Sequence, residues 1–417
     1  MFRITSIVLA VCALCASESL PSLPILKEAL SEVLFKVDGK SELVLECSTV
    51  DRDEGVQYSW QKNGKPLTLT TDIKKSENEG TLIFKKPVIQ DEGEYQCLAK
   101  TNIGVASTRT ISVRRTYIDV PQITLQKHKP IEGKYYKLDC HLPNAYPKPE
   151  INWYYQSLTD PSISRQILNY RIVQSPGGSL FFTNVTSEDI STDHKYVCTA
   201  TSGAGSDVVL AEHVMEDMVP RDGDYSDLVP LYVSPDMITK VGDVTMIYCI
   251  YGGTPLAYPD WYKDGKKTNN NPQDRVTRYN RTGGKRLLIK DTWLSDQGEY
   301  TCIVDNEVGN PQNHTMHLTV VSAPKLVKRP ESKIVAKVGD NVALACQVSG
   351  VPIPKISWTY NKQALPASAV LRESLDGNTI GVEVVLENIK KSDTGYFSCS
   401  AENEHGSVYT ETLVYVQ

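Results

Sequence analysis

Asp91-Glu92-Gly93-Glu94-Tyr95-Gln96-Cys97 and Asp296-Gln297-Gly298-Glu299-Tyr300-Thr301-Cys302 share one pattern: an acidic turn, a glycine, then a tyrosine two residues before a cysteine. Each closes a unit that opens on an earlier cysteine and carries a tryptophan 12 or 13 residues after it. The pattern occurs four times: Cys47, Trp60, Cys97; Cys140, Trp153, Cys198; Cys249, Trp261, Cys302; and Cys346, Trp358, Cys399. Every cysteine past the first 15 residues belongs to it.

The residues around these anchors alternate. Leu43, Leu45 and Cys47 share one face, as do Ile247 with Cys249, and Val342, Leu344 with Cys346. Such a period of two predicts half-buried strands. Asn63-Gly64 and Asp264-Gly265 supply tight hairpin turns. A glycine follows each closing cysteine by seven residues, at Gly104, Gly205, Gly309 and Gly406, where a strand turn asks for positive φ.

This cysteine and tryptophan spacing resembles the immunoglobulin superfamily, whose two-sheet sandwich packs a tryptophan on an inter-sheet disulfide. Cysteine separations of 50, 58, 53 and 53 residues point to intermediate (I) or C2-type domains. The expected fold is all-β, four tandem sandwiches at 24–115, 120–212, 230–321 and 324–417. Each disulfide, closing a loop of this length, contributes about 4 kcal/mol in the chain-entropy model. Two units depart from the pattern. The second has Thr192 and His194 where the first has Asp91 and Gly93, which predicts an altered turn; the fourth has Phe397 at the corner tyrosine position, with Tyr396 out of register.

At 417 residues the chain exceeds one ordinary core, and 40% hydrophobic with 23% charged residues is the composition of folded protein. A net charge of -6 gives no field that would drive it onto nucleic acid. Residues 1–17 read as a secretory signal peptide, with Arg3, an apolar run and small residues at the end. Cys12 and Cys15 would leave with it, and eight cysteines in an oxidising compartment pair within their units. No later run is apolar enough to span or anchor in a membrane, so a secreted, extracellular protein is expected. The sequence holds no H-E-x-x-H, G-x-S-x-G or phosphate-loop motif, and its seven histidines show no metal-ligand spacing; a non-enzyme is expected.

The linkers differ. The first unit passes to the second within a few residues, and the third to the fourth through Ser322-Ala323-Pro324. Residues 213–229 instead form an acidic stretch that reads as a solvated hinge. Two short-linked pairs about a long hinge allow the chain to double back, first unit against fourth and second against third. Within the hinge, Asp222, Asp224 and Asp227 are candidate ligands for a divalent cation.

The strongest charge feature lies in the third unit, where Arg275, Arg278, Arg281, Lys285 and Arg286 surround Gly283-Gly284. Guanidinium forks and exposed turn amides suit phosphate. The bland alternative is a solvated hairpin or a contact with the second unit. Asn184, Asn280 and Asn313 head glycosylation sequons; a glycan on Asn280 would sit inside this basic hairpin.

Pro130-Ile131-Glu132-Gly133, Leu142-Pro143-Asn144-Ala145-Tyr146-Pro147-Lys148-Pro149, Gly242-Asp243-Val244-Thr245-Met246-Ile247-Tyr248-Cys249 and Asn280-Arg281-Thr282-Gly283-Gly284-Lys285-Arg286-Leu287-Leu288 are similar to the hemolins, four-domain haemolymph proteins of moths. The resemblance implies a horseshoe of four domains, secretion into haemolymph, binding of bacterial lipopolysaccharide and lipoteichoic acid, association with haemocytes and modulation of their adhesion. It also implies calcium-assisted self-association, with no other cofactor, and a likeness to L1-type neural adhesion molecules. The alternative function is a soluble cell-adhesion protein acting through homophilic or heterophilic domain contacts.

Overall fold

The computed structural model describes residues 24–50, 55–76, 79–167, 169–201, 207–268 and 271–417. The expected leader with Cys12 and Cys15, and Gly205, lie outside the described residues.

Leu43, Val44 and Leu45 form a strand whose outer two side chains are buried and whose middle one is exposed, as pleating requires of alternating residues. Leu43–Leu45 pairs with Leu82–Phe84, and that strand with Ile73–Lys75. The facing sheet runs Glu32–Phe35, Ile111–Arg115, Gly93–Lys100, Gln57–Lys62 and Lys65–Pro66. Between the sheets, Leu43, Leu45, Trp60, Leu82, Phe84 and Tyr95 pack round the Cys47–Cys97 disulfide. The same core recurs round Cys140–Cys198, Cys249–Cys302 and Cys346–Cys399.

Each core tryptophan needs an acceptor for its buried indole N–H. Trp60 donates to Gly80 O (2.6 Å), Trp153 to Gly178 O (2.7 Å), Trp261 to Gly284 O (2.8 Å) and Trp358 to Val382 O (3.1 Å). A 3₁₀ turn precedes each closing strand, and its aspartate accepts the N–H three residues back: Asp91 from Val88, Asp189 from Thr186, Asp296 from Trp293 and Asp393 from Lys390.

The corner tyrosines follow. The hydroxyls of Tyr95 and Tyr300 donate to Asp91 O and Asp296 O, both at 2.8 Å. In the second domain the role of Asp91 falls to Asp189 rather than Thr192: Tyr196 donates to Asp189 O at 3.1 Å across seven residues instead of four. The turn is lengthened and the corner kept. In the fourth, Phe397 is fully buried and its cross-strand partner Tyr360 supplies the hydroxyl, 2.9 Å from Thr394 O and 3.1 Å from Ser392 O.

The linkers depart from the sequence reading. A single strand, Gln312–Lys328, pairs with Gly298–Val304 of the third domain and Val342–Val351 of the fourth, so Ser322-Ala323-Pro324 lies within a strand shared by both. The acidic stretch is shorter and more fastened than a solvated hinge. Strands Val208–Met215 and Ser226–Val233 absorb both its ends. Between them Val219 bridges Ile131, while Lys127 and Lys129 pair with Glu216 and Asp217 at 2.9 and 2.5 Å. The chain bends there into a horseshoe, with first domain against fourth and second against third.

Candidate ligand-binding site

The basic hairpin is built from strands Val276–Arg278 and Arg286–Ile289, joined through the 3₁₀ turn Asn280–Thr282. Gly283 and Gly284 follow at φ +62° and +76°, a left-handed pair that glycine adopts without Cβ strain. Its five cations do not share one open surface. Arg275 forms a bidentate pair with the buried Asp296 (2.5 and 2.7 Å) and stacks 3.9 Å over Trp293. Arg171 and Asp189 make the same buried pair in the second domain at 2.8 and 3.1 Å. Arg275 is therefore a structural cation of its own sandwich.

Lys285 is 1% exposed. Its Nζ donates to Tyr170 O of the second domain (3.0 Å) and sits 5.1 Å over the Tyr258 ring. Burial, with the Arg278 charge adding to it, pushes its ammonium down to about 8. Arg286 donates to Gln174 O of the second domain (2.6 Å) and lies over Tyr248. Arg278 donates to Gly283 O (3.1 Å), and its buried Nε has no hydrogen-bond partner. Of the five, Arg281 is the exposed one. The cluster expected to meet phosphate is thus in large part the clamp between second and third domains.

That seam has an apolar floor of Val173, Phe181 and Ile250, flanked by Leu231, Tyr232 and Tyr248. Asn184 belongs to it: its amide nitrogen donates to Thr254 Oγ1 (2.8 Å), so a glycan there would displace a seam bond. Asn280 and Asn313 are exposed. Asp222, Asp224 and Asp227 do not converge. Asp224 lies 3.5 Å from Arg221, and among the described residues no group of three or more acidic, histidine or cysteine side chains could hold a metal ion.

The second seam joins first and fourth domains, as the doubled-back chain predicts, but the groups that bond across it were not read from the sequence. Ala99, Ala106, Tyr396 and Leu413 form its apolar centre. Around them Tyr396 Oη donates to Pro24 O (2.8 Å), Lys362 Nζ to Gln96 Oε1 (2.9 Å), Val105 N to Asn361 Oδ1 (3.2 Å) and Arg109 to Ser407 O (3.0 Å). Ser107 N–H reaches both carboxylate oxygens of Glu411 at 3.0 and 3.1 Å. The available signal was Leu413-Val414-Tyr415-Val416, apolar on both strand faces where an exposed sheet face would alternate.

Residues 232–320 and 324–416 match the immunoglobulin I-set domain, and 25–101 and 120–202 an immunoglobulin domain. Over 416 residues the chain is 48% identical to hemolin of Manduca sexta, covering 98% of both. The chain belongs to the hemolin family. A crystal structure of the insect immune protein hemolin, described as a new domain arrangement with implications for homophilic adhesion, superposes with a TM-score of 0.87 at 45% identity, covering 94% of this chain and all of that one. Neuroglian of Drosophila melanogaster is 35% identical over 93% of the chain, which spans 30% of neuroglian's length. Likeness to the first four domains of Dscam1, at 19–20% identity and TM-scores of 0.65–0.67, shows the fold alone. Among the described residues no helix is long and apolar enough to cross a membrane.

Proposed function

We propose that this hemolin-family chain is a secreted haemolymph protein of insect immunity that binds bacterial lipopolysaccharide and lipoteichoic acid and the haemocyte surface, and so modulates haemocyte adhesion. The observation that carries the reading is the match to moth hemolins over 98% of the chain, with the same four-domain bend. Its ligand surface is the rim of the second–third domain seam, where Arg281 is open. Lys285 and Arg286 hold the seam behind it.

The test is a binding panel of purified protein against lipopolysaccharide, lipoteichoic acid, haemocytes and itself, with and without calcium. Arg281→Glu reverses the exposed charge and leaves the Lys285 and Arg286 bonds of the seam in place. Salt-sensitive lipopolysaccharide binding that falls at least tenfold in this variant supports the site; unchanged affinity removes it.

A second reading is cell adhesion through domain contacts. The strand Ala369–Asp376 favours it: an eight-residue sheet edge, exposed along nearly its whole length, with Val370, Leu371 and Leu375 open. Such an edge is a template for pairing with another chain. Sedimentation showing a concentration-dependent dimer that Leu371→Lys abolishes supports it; a monomer at all concentrations rejects it for self-association.

A further inference from the structure

Ser107 turns both its backbone groups toward the fourth domain. It stands opposite Leu98 in the sheet, while the neighbouring Thr108 N–H takes the ladder bond to Cys97 O. Its N–H is bound by Glu411, and its carbonyl accepts from the Tyr409 hydroxyl at 3.0 Å. The same Tyr409 oxygen lies 2.9 Å from Glu411 Oε2, and the Ser398 hydroxyl reaches that Oε2 at 3.0 Å. Among the described residues Glu411 forms no ion pair.

Counting protons decides what this arrangement prefers. Tyr409 carries one hydroxyl proton, and its oxygen has four neighbours: the Ser107 carbonyl at 3.0 Å, the Ser107 hydroxyl at 2.8 Å, the Ser398 hydroxyl at 3.0 Å and the Glu411 carboxylate at 2.9 Å. The Ser398 hydroxyl donates to Glu411 and the Ser107 hydroxyl can turn either way, so an ionised Glu411 and the Ser107 carbonyl compete for the Tyr409 proton, and the charged acceptor is the stronger of the two. With Glu411 protonated, its O–H donates to Tyr409 Oη, Tyr409 donates to the Ser107 carbonyl, and both are satisfied at once. We propose that the first–fourth domain seam is a proton-operated latch, closed by neutral Glu411 and loosened when Glu411 ionises.

The charged groups around Glu411 are Lys362 of the fourth domain and Arg109 of the first, each already engaged across the seam. Lys27, Glu28, Arg329, Glu331 and Lys333 line an adjoining cavity of about 630 Å³. Burial drives the Glu411 carboxyl from 4.5 up to about 7, against the pull of Ser107 N–H and the Tyr409 and Ser398 hydroxyls. Opening returns the group to water and to its ordinary value. A carboxyl raised in the closed form binds its proton there over the window between the two values. Closure is therefore favoured as pH falls through that window, and the cost of ionisation is complete above it. A difference of 7 − 4.5 = 2.5 units limits the effect to roughly 300-fold in the closed–open equilibrium.

Hydrogen exchange of peptides covering Val105–Ser107, on the full chain between about pH 5 and 8.5, reads the latch directly. Glu411→Gln, a neutral isostere, is measured beside the natural chain at each pH so that intrinsic exchange rates cancel. The expected result is similar protection at the acidic end, with the natural chain exchanging faster at the alkaline end by up to roughly 300-fold. Equal protection at every pH overturns the latch, and so does a Glu411→Gln chain that is the more open of the two at alkaline pH. Should the variant fold poorly, the natural chain alone decides: protection of Val105–Ser107 relative to the core strand around Leu344 must fall across the window, and a constant ratio overturns the proposal.

Discussion

The two seams that hold the horseshoe closed centre on different buried ionisable groups, bases in one and an acid in the other. Between second and third domains, buried cations do the joining: Lys285 and Arg286 reach carbonyls of Tyr170 and Gln174. Between first and fourth, a buried acid does it: Glu411, protonated in the closed form, takes the Ser107 N–H. The hydrogen bonds that Lys285, Arg286 and Glu411 make across the seams go to neutral backbone dipoles. Such a contact tolerates little change, because loss of the charge-bearing group strands a buried polar atom.

Lys285→Glu should therefore have the largest effect, setting a carboxylate against the Tyr170 carbonyl and costing about 3–5 kcal/mol. Denaturant unfolding and scattering would show it as lost stability with a loosened second–third pair. If the variant matches the natural chain, the cationic seam is not what holds these domains. Glu411→Ala should cost less, about 1–3 kcal/mol for an unpaired Ser107 N–H. Its signature is faster exchange in Val105–Ser107 while the second–third seam stays protected.

A third prediction separates the halves by pH. In the second domain His213 Nε2 lies 2.9 Å from Asp139 O, its Nδ1 lies 2.9 Å from His128 Nε2, and His128 Nδ1 lies 3.0 Å from the Tyr136 hydroxyl. A relay of neutral rings satisfies all three contacts, and burial holds both imidazoles below their ordinary 6.5. A depressed histidine contributes its full stability above its unfolded value and loses it as pH falls below. Acidification should then weaken the second domain, on the order of 1 kcal/mol per unit, while tightening the first–fourth seam. Domain-resolved hydrogen exchange at about pH 5 and 7.5 checks this; parallel responses of the two regions would dissolve the distinction. The smallest effect belongs to Arg281→Glu, within about 0.5 kcal/mol of the natural stability by thermal unfolding, since the side chain is exposed.

The sandwiches were legible because their determinants are local. Cys47, Trp60 and the alternation of Leu43 and Leu45 lie close in sequence and have counterparts in every unit, and Tyr95 has them in the second and third. The fourth domain's corner was less so, because Tyr360 takes over from Phe397 across a strand pair. The seams required pairing between outward faces 112 residues apart at Arg286 and 304 at Glu411, and a strand period does not say which faces meet. The charge run at Arg275, Lys285 and Arg286 showed its sign in the sequence but not its neighbours, Asp296, Tyr170 and Gln174. Ser107 and Glu411 are separated by 304 residues, and neither is unusual in its own stretch.

The central claim is that the chain folds back so that the first domain rests on the fourth. Small-angle scattering of the monomeric protein at neutral pH tests it most directly. A compact particle whose profile matches the closed horseshoe is the expected result; a rod of four domains in series would contradict the account.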